Sequence, residues 1–203
     1  MAAKRLYELL FSLKNLPSEL GDEAERQRLT NHLDTIIKHS YHSRNQLLLS
    51  EGQDTFYIYF LVKGIARGYY NDPSGEQERT VIIWDELSLF TDPSGFFDKL
   101  PSGLNVEVMA GSQLLFISRA QLEEIYKTFP YAEVFTARMT SHYSAYFAKR
   151  SHDLVSMSAW ERYQQLLKNY PHIELKITKR IIASYIDIAP QSLSRLIKEN
   201  GHP

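Results

Sequence analysis

Two residues near the C-terminus, Gln191 and Arg195, have side chains that can form paired hydrogen bonds with the edge of a DNA base. Glutamine pairs in this way with adenine, and arginine pairs with guanine. The two residues are four positions apart, so a helix would place them on one face, one turn apart. They lie in the segment ITKRIIASYIDIAPQSLSRLIKEN, residues 177–200, which therefore predicts a surface that reads DNA.

The apolar residues of this segment have the spacing of a helix-turn-helix, in which two short helices cross steeply. Ala183 supplies a small residue at the position where the two helices must touch. An ordinary amphipathic helical hairpin would show the same apolar periodicity, but it would need neither the small residue nor a polar and basic outer face. The residues predicted to point inward are Ile182, Ile186, Ile188, Leu193 and Leu196.

The outer face also offers groups that suit phosphate contacts, which position a protein on DNA without reading its sequence. We assign base contacts to Gln191 and Arg195. Pro190 suits the first turn of the second helix, because its missing N–H costs little there. Phosphate contacts are assigned to Ser192, Ser194, Lys179 and Lys198. The full set of predicted DNA-binding residues is Thr178, Lys179, Pro190, Gln191, Ser192, Ser194, Arg195 and Lys198.

The charge of the chain is local rather than global. The 203 residues include 23 Lys and Arg against 24 Asp and Glu, a net charge of -1, so no overall basic field attracts nucleic acid. Between Leu175 and Lys198, however, there are five cations and one anion, which is the local excess that phosphates require. A solvated helix face could have the same charge. With 43% hydrophobic residues, the chain can bury a sizeable core in one or two domains.

Composition also excludes several kinds of chemistry. The chain has no cysteine, which rules out disulfides, thiolate nucleophiles and cysteine-ligated iron–sulfur clusters. The N-terminal segment MAAKRLYELLFSLKNL lacks the continuous apolar run of a signal peptide, and no stretch has the length of a membrane span. We expect a cytoplasmic protein without a membrane partner.

Three regions with different patterns follow one another along the sequence. Residues 5–38 have helical spacing with a break at Pro17. Residues 45–118 consist of short apolar runs separated by turn residues, including a turn at 71–75, and predict a compact antiparallel barrel or roll. Helical spacing returns after Ser118. The fold class predicted is α+β, with helices on both sides of the antiparallel region.

The segment from Tyr131 to Leu154 contains neither glycine nor proline and predicts one long helix. One face carries an apolar stripe at helical spacing. Such a stripe often packs on the core of its own chain, but its position before the helix-turn-helix favours pairing with a second copy, which would present two reading helices to adjacent turns of DNA. The predicted dimer contacts are Phe135, Met139, Tyr143 and Tyr146.

This order of elements resembles that of the Crp/Fnr family of bacterial transcription regulators. Gly52 and Gly64, twelve residues apart, match the paired turn glycines of that family, and each would serve a turn that needs positive φ. The segment SAWERYQQLLKNYP (residues 158–171) resembles the helix that precedes the family's helix-turn-helix. The resemblance implies a cyclic-nucleotide-binding-like β-roll (a double-stranded β-helix) at 1–128, a dimerisation helix at 129–155 and a DNA-binding domain at 156–203.

The resemblance also implies partners. It predicts a homodimer that binds double-stranded DNA at a palindromic operator, with RNA polymerase as a further partner and an unknown small molecule as effector. Some members bind cyclic nucleotides through a Gly-Glu pair and an Arg-Ser or Arg-Thr pair. In this sequence Glu86 follows Asp85 instead of glycine, and no arginine lies between Arg79 and Arg119. A cyclic phosphate would therefore lack its cation, and we expect no binding of cyclic AMP or cyclic GMP in the usual mode.

Other sensors of the family hold an iron–sulfur cluster, which the absence of cysteine excludes, or haem. No histidine spacing here marks a haem ligand, and the His39–His42 pair would need further ligands to hold a metal. We therefore expect no cofactor. The aromatic residues of the roll could form core or line an apolar effector pocket. The candidate effector residues are Trp84, Glu86 and Phe90.

Two other function classes compete with DNA binding. A cupin-like metal-binding enzyme could use the same kind of roll, but it would need clustered histidine and carboxylate ligands on the strands. A protein-interaction module could use the C-terminal helices to bind another protein. Binding to duplex DNA that weakens steeply with salt would distinguish a DNA-binding protein from both alternatives, because phosphate contacts release counterions.

Overall fold

The computed structural model describes residues 2–72, 75 and 77–200. Part of the predicted turn at 71–75 lies outside the described residues. Short 3-10 turns occur at Ser18–Gly21, Pro130–Ala132 and Ile173–Leu175. The α-helices are α1 (Ala2–Ser12), α2 (Glu23–Ile36), α3 (Pro93–Phe97), α4 (Arg119–Thr128), α5 (Glu133–Ser156), α6 (Ala159–Asn169), α7 (Lys179–Tyr185) and α8 (Pro190–Asn200).

The strands form two four-stranded antiparallel sheets, in the orders β1-β8-β3-β6 and β2-β7-β4-β5. Most consecutive strands lie in opposite sheets, and strands that are distant in sequence, such as β1 and β8, are neighbours within one sheet. The region therefore folds as a roll. The α+β fold class and the antiparallel roll predicted from the sequence are confirmed. The strands are β1 (Lys38–His42), β2 (Gln46–Leu49), β3 (Tyr57–Lys63), β4 (Ala66–Asn71), β5 (Glu78–Trp84), β6 (Leu89–Phe90), β7 (Asn105–Val108) and β8 (Ser112–Ser118).

The first strand lies outside the predicted strand region, which began at residue 45. β1 has the sequence KHSYH, and of its side chains only that of His42 is buried. It lies at one end of its sheet and pairs with β8, Lys38 opposite Phe116. Because an edge strand exposed on most sides needs no apolar alternation, its sequence carried no strand signal.

The two turn glycines match their predicted role. Gly52 has φ 82° and Gly64 has φ 109°, which are conformations that disfavour any other residue. At Gly64 a Cβ atom would meet the Ser112 hydroxyl at 2.1 Å. That hydroxyl accepts a hydrogen bond from the N–H of Ile65 at 3.2 Å, so Gly64 permits a close approach of β8 to the turn.

The helices on either side of the roll cover one of its sheets. α1 and α2 are separated at the predicted break, and the Asp22 carboxylate caps α2 by accepting the N–H of Ala24 at 2.9 Å. Leu10 of α1 and Leu29 of α2 join the main core, together with Phe60 of β3 and Ile125 of α4. This core holds α1, α2, α4 and α5 against the roll.

The residues of α5 that were predicted to form dimer contacts are largely covered within a single chain. Phe135, Met139 and Tyr143 are 8%, 7% and 5% exposed in a single chain and belong to its main core. Tyr146 is half-buried, and its hydroxyl lies 2.9 Å from that of Tyr185. The apolar stripe therefore packs on its own chain, as such stripes often do, because the roll needs a cover on this side.

A second core joins the C-terminal helices to the roll. Its members from the roll are Ile83 of β5, Ile65 just before β4 and Met109 just after β7, and they pack in one cluster with residues of α6 and α7. Tyr163 and Ile182 are the buried partners from those helices. The C-terminal helices thus complete part of their core with side chains of the roll. The division into domains at 128 and 155 stays a prediction.

Candidate nucleic-acid interface

The first helix of the predicted helix-turn-helix, α7, begins at a side-chain cap. Thr178 has extended backbone angles, and its hydroxyl accepts the N–H of Ile181 at 3.3 Å. A capping hydroxyl satisfies one of the donors that a helix N-terminus leaves free. Thr178 remains exposed, so this residue, predicted to contact DNA, also has a structural role. Lys179 follows it and is exposed.

The turn between α7 and α8 has the close contact that the sequence indicated. Ala183 is 0% exposed, and its carbonyl accepts the N–H of Ile188 at 3.0 Å. Asp187 adopts φ 56°, a left-handed conformation that aspartate tolerates better than most residues. The inward residues agree with the predicted pattern, because Ile182, Ile186 and Leu193 are buried and Ile188 and Leu196 pack against the same cluster.

The second helix, α8, presents the predicted outer face to solvent. It begins at Pro190, and buried Leu193 fixes which side faces the core. Ser192 is half-buried on the flank of the helix. The exposed residues of this face are Pro190, Gln191, Ser194, Arg195 and Lys198.

The guanidinium group of Arg195 takes part in a weak ion pair within α8. Its Nε lies 3.7 Å from a carboxylate oxygen of Glu199, one helical turn away, and both side chains are well exposed. Exposed pairs of this kind contribute little to stability. The guanidinium of Arg195 can therefore leave Glu199 at small cost when a stronger acceptor is offered.

Arg162 of α6 forms hydrogen bonds that hold the turn between α7 and α8, a role that the sequence did not reveal. Its Nε donates to the carbonyl of Ile186 at 2.9 Å, and its Nη1 donates to the carbonyl of Met157 at 2.6 Å. Met157 follows the end of α5. A single guanidinium thus ties the turn of the helix-turn-helix to the link between α5 and α6.

The helix-turn-helix also docks on an outer strand of the roll, through Ser184 of α7. β5 is the last strand of its sheet, so its outward backbone groups have no strand partner. The Ser184 hydroxyl accepts the N–H of Thr80 at 2.7 Å and donates to the carbonyl of Glu78 at 2.7 Å. One serine therefore satisfies two backbone groups at the edge of the sheet.

Further polar contacts surround this serine. Arg79 of β5 pairs with Asp187 at 3.4 Å. Arg150 of α5 donates to the carbonyls of Tyr185 at 2.5 Å and Thr80 at 3.2 Å. Tyr170, next to the end of α6, donates its hydroxyl proton to the carbonyl of Ile83 at 3.0 Å. The roll, the long helix α5 and the helix-turn-helix therefore meet in one hydrogen-bonded junction.

The candidate effector residues do not form one site. Trp84 and Phe90 are 5% and 0% exposed, with their rings stacked 4.9 Å apart in the core. Glu86 lies in the turn between β5 and β6, where it pairs with Arg5 of α1 at 3.5 Å on the surface. The prediction grouped residues that are close in sequence, whereas the reversal of the chain after β5 separates the carboxylate from the rings.

The segment between β6 and β7 contains a different buried carboxylate, that of Asp92. It is 5% exposed and caps α3 by accepting the N–H of Gly95 at 3.1 Å, and it lies 3.3 Å from the N–H of Gly103. Preceding it, Thr91 exchanges two 3.3 Å hydrogen bonds with the hydroxyl of Tyr143 from α5. A negative charge and a tyrosine of the same chain thus occupy this end of the roll.

The histidine pair noted in the sequence lies in β1. Residues three apart in a strand project to opposite faces, so the rings of His39 and His42 are not placed to chelate one ion. The nitrogens of His42 lie 3.0 Å from the Ser40 hydroxyl and 2.8 Å from the amide oxygen of Gln46. Across residues 2–72, 75 and 77–200, no cluster of three or more potential His or carboxylate ligands is found, and no helix has the length and apolarity to cross a membrane.

Comparison with solved structures shows which fold these elements build. FixK2 from Bradyrhizobium japonicum superposes with a TM-score of 0.71 at 16% identity, covering 81% of this chain and 84% of its own. A regulator assigned to the Crp/Fnr family from Eubacterium rectale gives 0.70 at 15% identity over 85% and 82%. The chain has the fold of Crp/Fnr transcription regulators.

A third neighbour is the c-di-GMP responsive global regulator CLP of Xanthomonas campestris, with a TM-score of 0.68 at 10% identity over 85% of this chain and 90% of CLP. No protein-family model matches the sequence, and no curated protein matches it. At these identities the likeness establishes architecture. What the site does has to be argued from its own residues.

Proposed function

We propose that this protein is a homodimeric transcription regulator that binds specific sites in double-stranded DNA. The observation that carries the proposal is the outer face of α8, where hydrogen-bonding and basic side chains are exposed on a helix fixed by buried Leu193. An α-helix fits the major groove of B-DNA, where each base pair presents a distinct pattern of donors and acceptors. The fold shared with transcription regulators agrees with this use of the helix.

The residues of this face divide between reading and positioning. Gln191 and Arg195, one turn apart, read bases. Ser194 and Lys198 contact phosphates on α8, and Lys179 does so from the start of α7. Helix N-termini favour phosphate because their N–H groups and dipole are positive, and Lys179 adds a full charge to the N-terminus of α7. Arginine is the commonest reader of guanine, so Arg195 is the residue on which specificity depends most.

The dimer that we propose forms through a different face of α5 from the one predicted. With Phe135, Met139 and Tyr143 buried in the core, the outer side of the helix carries small residues alternating four and three positions apart. This is the repeat of a left-handed coiled coil, and small side chains allow two helices to approach closely. The exposed residues in this repeat are Ala137, Ser141, Ser144, Ala148 and Ser151.

The sensor region is unsuited to cyclic nucleotides in the family's usual mode. Asp92 already supplies an anion to the N–H of Gly95 at the start of α3, so a cyclic phosphate would meet a like charge. Lys99 pairs with Glu123 at 3.6 Å on the surface, and Arg119 donates to the carbonyls of Thr55 and Gly95, so both nearby cations already have acceptors. Burying a phosphate beside the Asp92 carboxylate is therefore costly. We propose that any effector of this regulator belongs to another chemical class.

Binding to labelled duplex DNA, measured by fluorescence anisotropy at several salt concentrations, tests the function. We expect the logarithm of the binding constant to fall linearly with the logarithm of salt concentration, with a slope of about −0.9 for each phosphate contacted. Lys198→Gln should flatten the slope, whereas Lys127→Gln, an exposed lysine of α4, should leave it unchanged. A salt-independent interaction, or none, would favour the protein-interaction module instead.

A further inference from the structure

A cavity of about 470 Å³ lies where α1, the β5–β6 turn, α5 and the end of α6 meet. Its wall includes Trp84, Asp85, Arg138, Tyr146 and Tyr170. Small-molecule sites have volumes of roughly 300–1,000 Å³ and combine apolar and aromatic walls with a few polar groups. This cavity, which we call the junction pocket, meets both criteria. It shares no lining residue with the pocket beside Thr91 and Asp92.

The polar groups of the junction pocket differ in how fully their hydrogen bonds are satisfied. Arg138 donates through Nη2 to the carbonyls of Lys14, at 2.5 Å, and Asn15, at 3.4 Å, at the end of the α1 region. Its Nε is buried and has no hydrogen-bond partner within the described residues. A buried donor without an acceptor is destabilising. The guanidinium therefore has unused capacity for an acceptor, and a carboxylate suits its planar fork best.

Asp85 supplies a carboxyl group to the pocket. Unlike the Nε of Arg138, this group already has a hydrogen-bond partner, because it accepts from the Ser88 hydroxyl at 3.3 Å. Burial raises the pKa of Asp85, with hydrogen bonds from its own backbone and Ser88 opposing the shift. The rest of the wall is mainly apolar and includes Leu9, Ile82 and Met139 together with the rings of Trp84, Tyr146 and Tyr170. Burial raises the hydroxyl pKa values of Tyr146 and Tyr170.

From this arrangement we propose that the junction pocket binds an organic acid with an apolar or aromatic body and one carboxylate, which Arg138 receives. The aromatic side chains enclose the body. The wall of the cavity also contacts the helix-turn-helix, because the hydroxyl of Tyr146 lies 2.9 Å from that of Tyr185 in α7. The ligand class follows from the pocket alone, whereas its role as effector rests on the proposed function.

The sequence provides a local reporter for binding. Trp84 and Trp160 are the two tryptophans of the chain, and Trp84 lines the junction pocket. In full-length Trp160→Phe protein, the fluorescence of Trp84 can be titrated with phenylacetate and with phenylacetamide, which share a body and differ in charge. We expect saturable binding of phenylacetate with an affinity at least about tenfold above that of the amide, as a charged hydrogen-bond partner implies.

Two variants in the same background sharpen the test. Arg138→Gln should reduce the preference for the acid to less than about twofold, whereas Lys127→Gln, on the exposed surface of α4, should retain it. A fluorescence response that does not saturate, equal affinities for acid and amide, or an acid preference that survives Arg138→Gln would each overturn the proposal. Absence of acid binding to the dimer, in which a second copy covers the pocket, would overturn the proposal too.

DNA affinity with and without phenylacetate is measured separately, so that the two proposals can fail independently. Binding of the acid to Trp160→Phe protein that does not bind DNA would leave the pocket standing and reject the regulator. Specific DNA binding without any change in Trp84 fluorescence on addition of the acid would reject the pocket proposal and support the regulator.

Discussion

Replacing Ser184 by alanine tests how the helix-turn-helix is held on the roll. The substitution removes the hydroxyl that bonds to the N–H of Thr80 and the carbonyl of Glu78, both at 2.7 Å. Thr80 is 1% exposed, so water cannot readily replace the lost acceptor. An unsatisfied buried group costs about 1–3 kcal/mol. We expect the free energy of unfolding to fall by that amount, with a further contribution from the Glu78 carbonyl, which loses its donor.

Urea unfolding of the full-length protein measures the change, and for a chain of this length about 1 kcal/mol corresponds to roughly 2–4 °C in Tm. Ser194→Ala is the matched control, because Ser194 is exposed on α8. Its effect should stay within about 0.5 kcal/mol. If Ser184→Ala is as stable as the control variant, the serine is not holding the strand edge, and the docking must depend on the apolar cluster alone.

Three further predictions concern DNA, the dimer and the sensor. Arg195→Ala should cost about 1–3 kcal/mol on a specific site and relax the preference at one base pair in each half-site; an equal loss on all sequences would make Arg195 a phosphate contact. Ser144→Glu should place like charges across the two-fold axis and separate a dimer in sedimentation, whereas Met139→Glu should unfold the chain by burying an unpaired charge. Unchanged mass of the Ser144→Glu protein would place the dimer contact elsewhere. Isothermal titration should detect no binding of cyclic AMP or cyclic GMP, and micromolar affinity accompanied by tighter DNA binding would refute the argument from Asp92.

Local sequence was enough to predict the helix-turn-helix. The inward positions of α7 and α8, the contact at Ala183 and the turn glycines Gly52 and Gly64 depend on residues a few positions apart, so their spacing carries the information. The outward face of α8 follows directly from the inward one. The roles of Gln191 and Arg195 in reading bases remain predictions, since exposure alone does not show what a side chain binds.

The features that sequence did not reveal depend on contacts across the chain. The stripe through Met139 could face a partner or its own core, and periodicity is the same in both cases. Ser184 and Thr80 are 104 residues apart in sequence, and nothing near either residue indicates the other. Glu86 was grouped with Trp84, the last residue of β5, because the two are close in sequence, but the reversal of the chain after β5 separates them. Each of these features depends on which surface an element meets, a property of tertiary packing.

Selection of binding sites from a pool of random duplex DNA by the purified full-length protein tests the central claim most directly. We expect enrichment of palindromic sites whose half-sites are centred about 10 bp apart, or a multiple of that spacing, as two-fold related reading helices require. The Gln191→Ala, Arg195→Ala double variant should lose the enrichment while retaining weak, salt-sensitive binding. Failure of the wild-type protein to enrich any sequence, or enrichment that the double variant reproduces, would contradict the assignment of α8 as a DNA-reading helix.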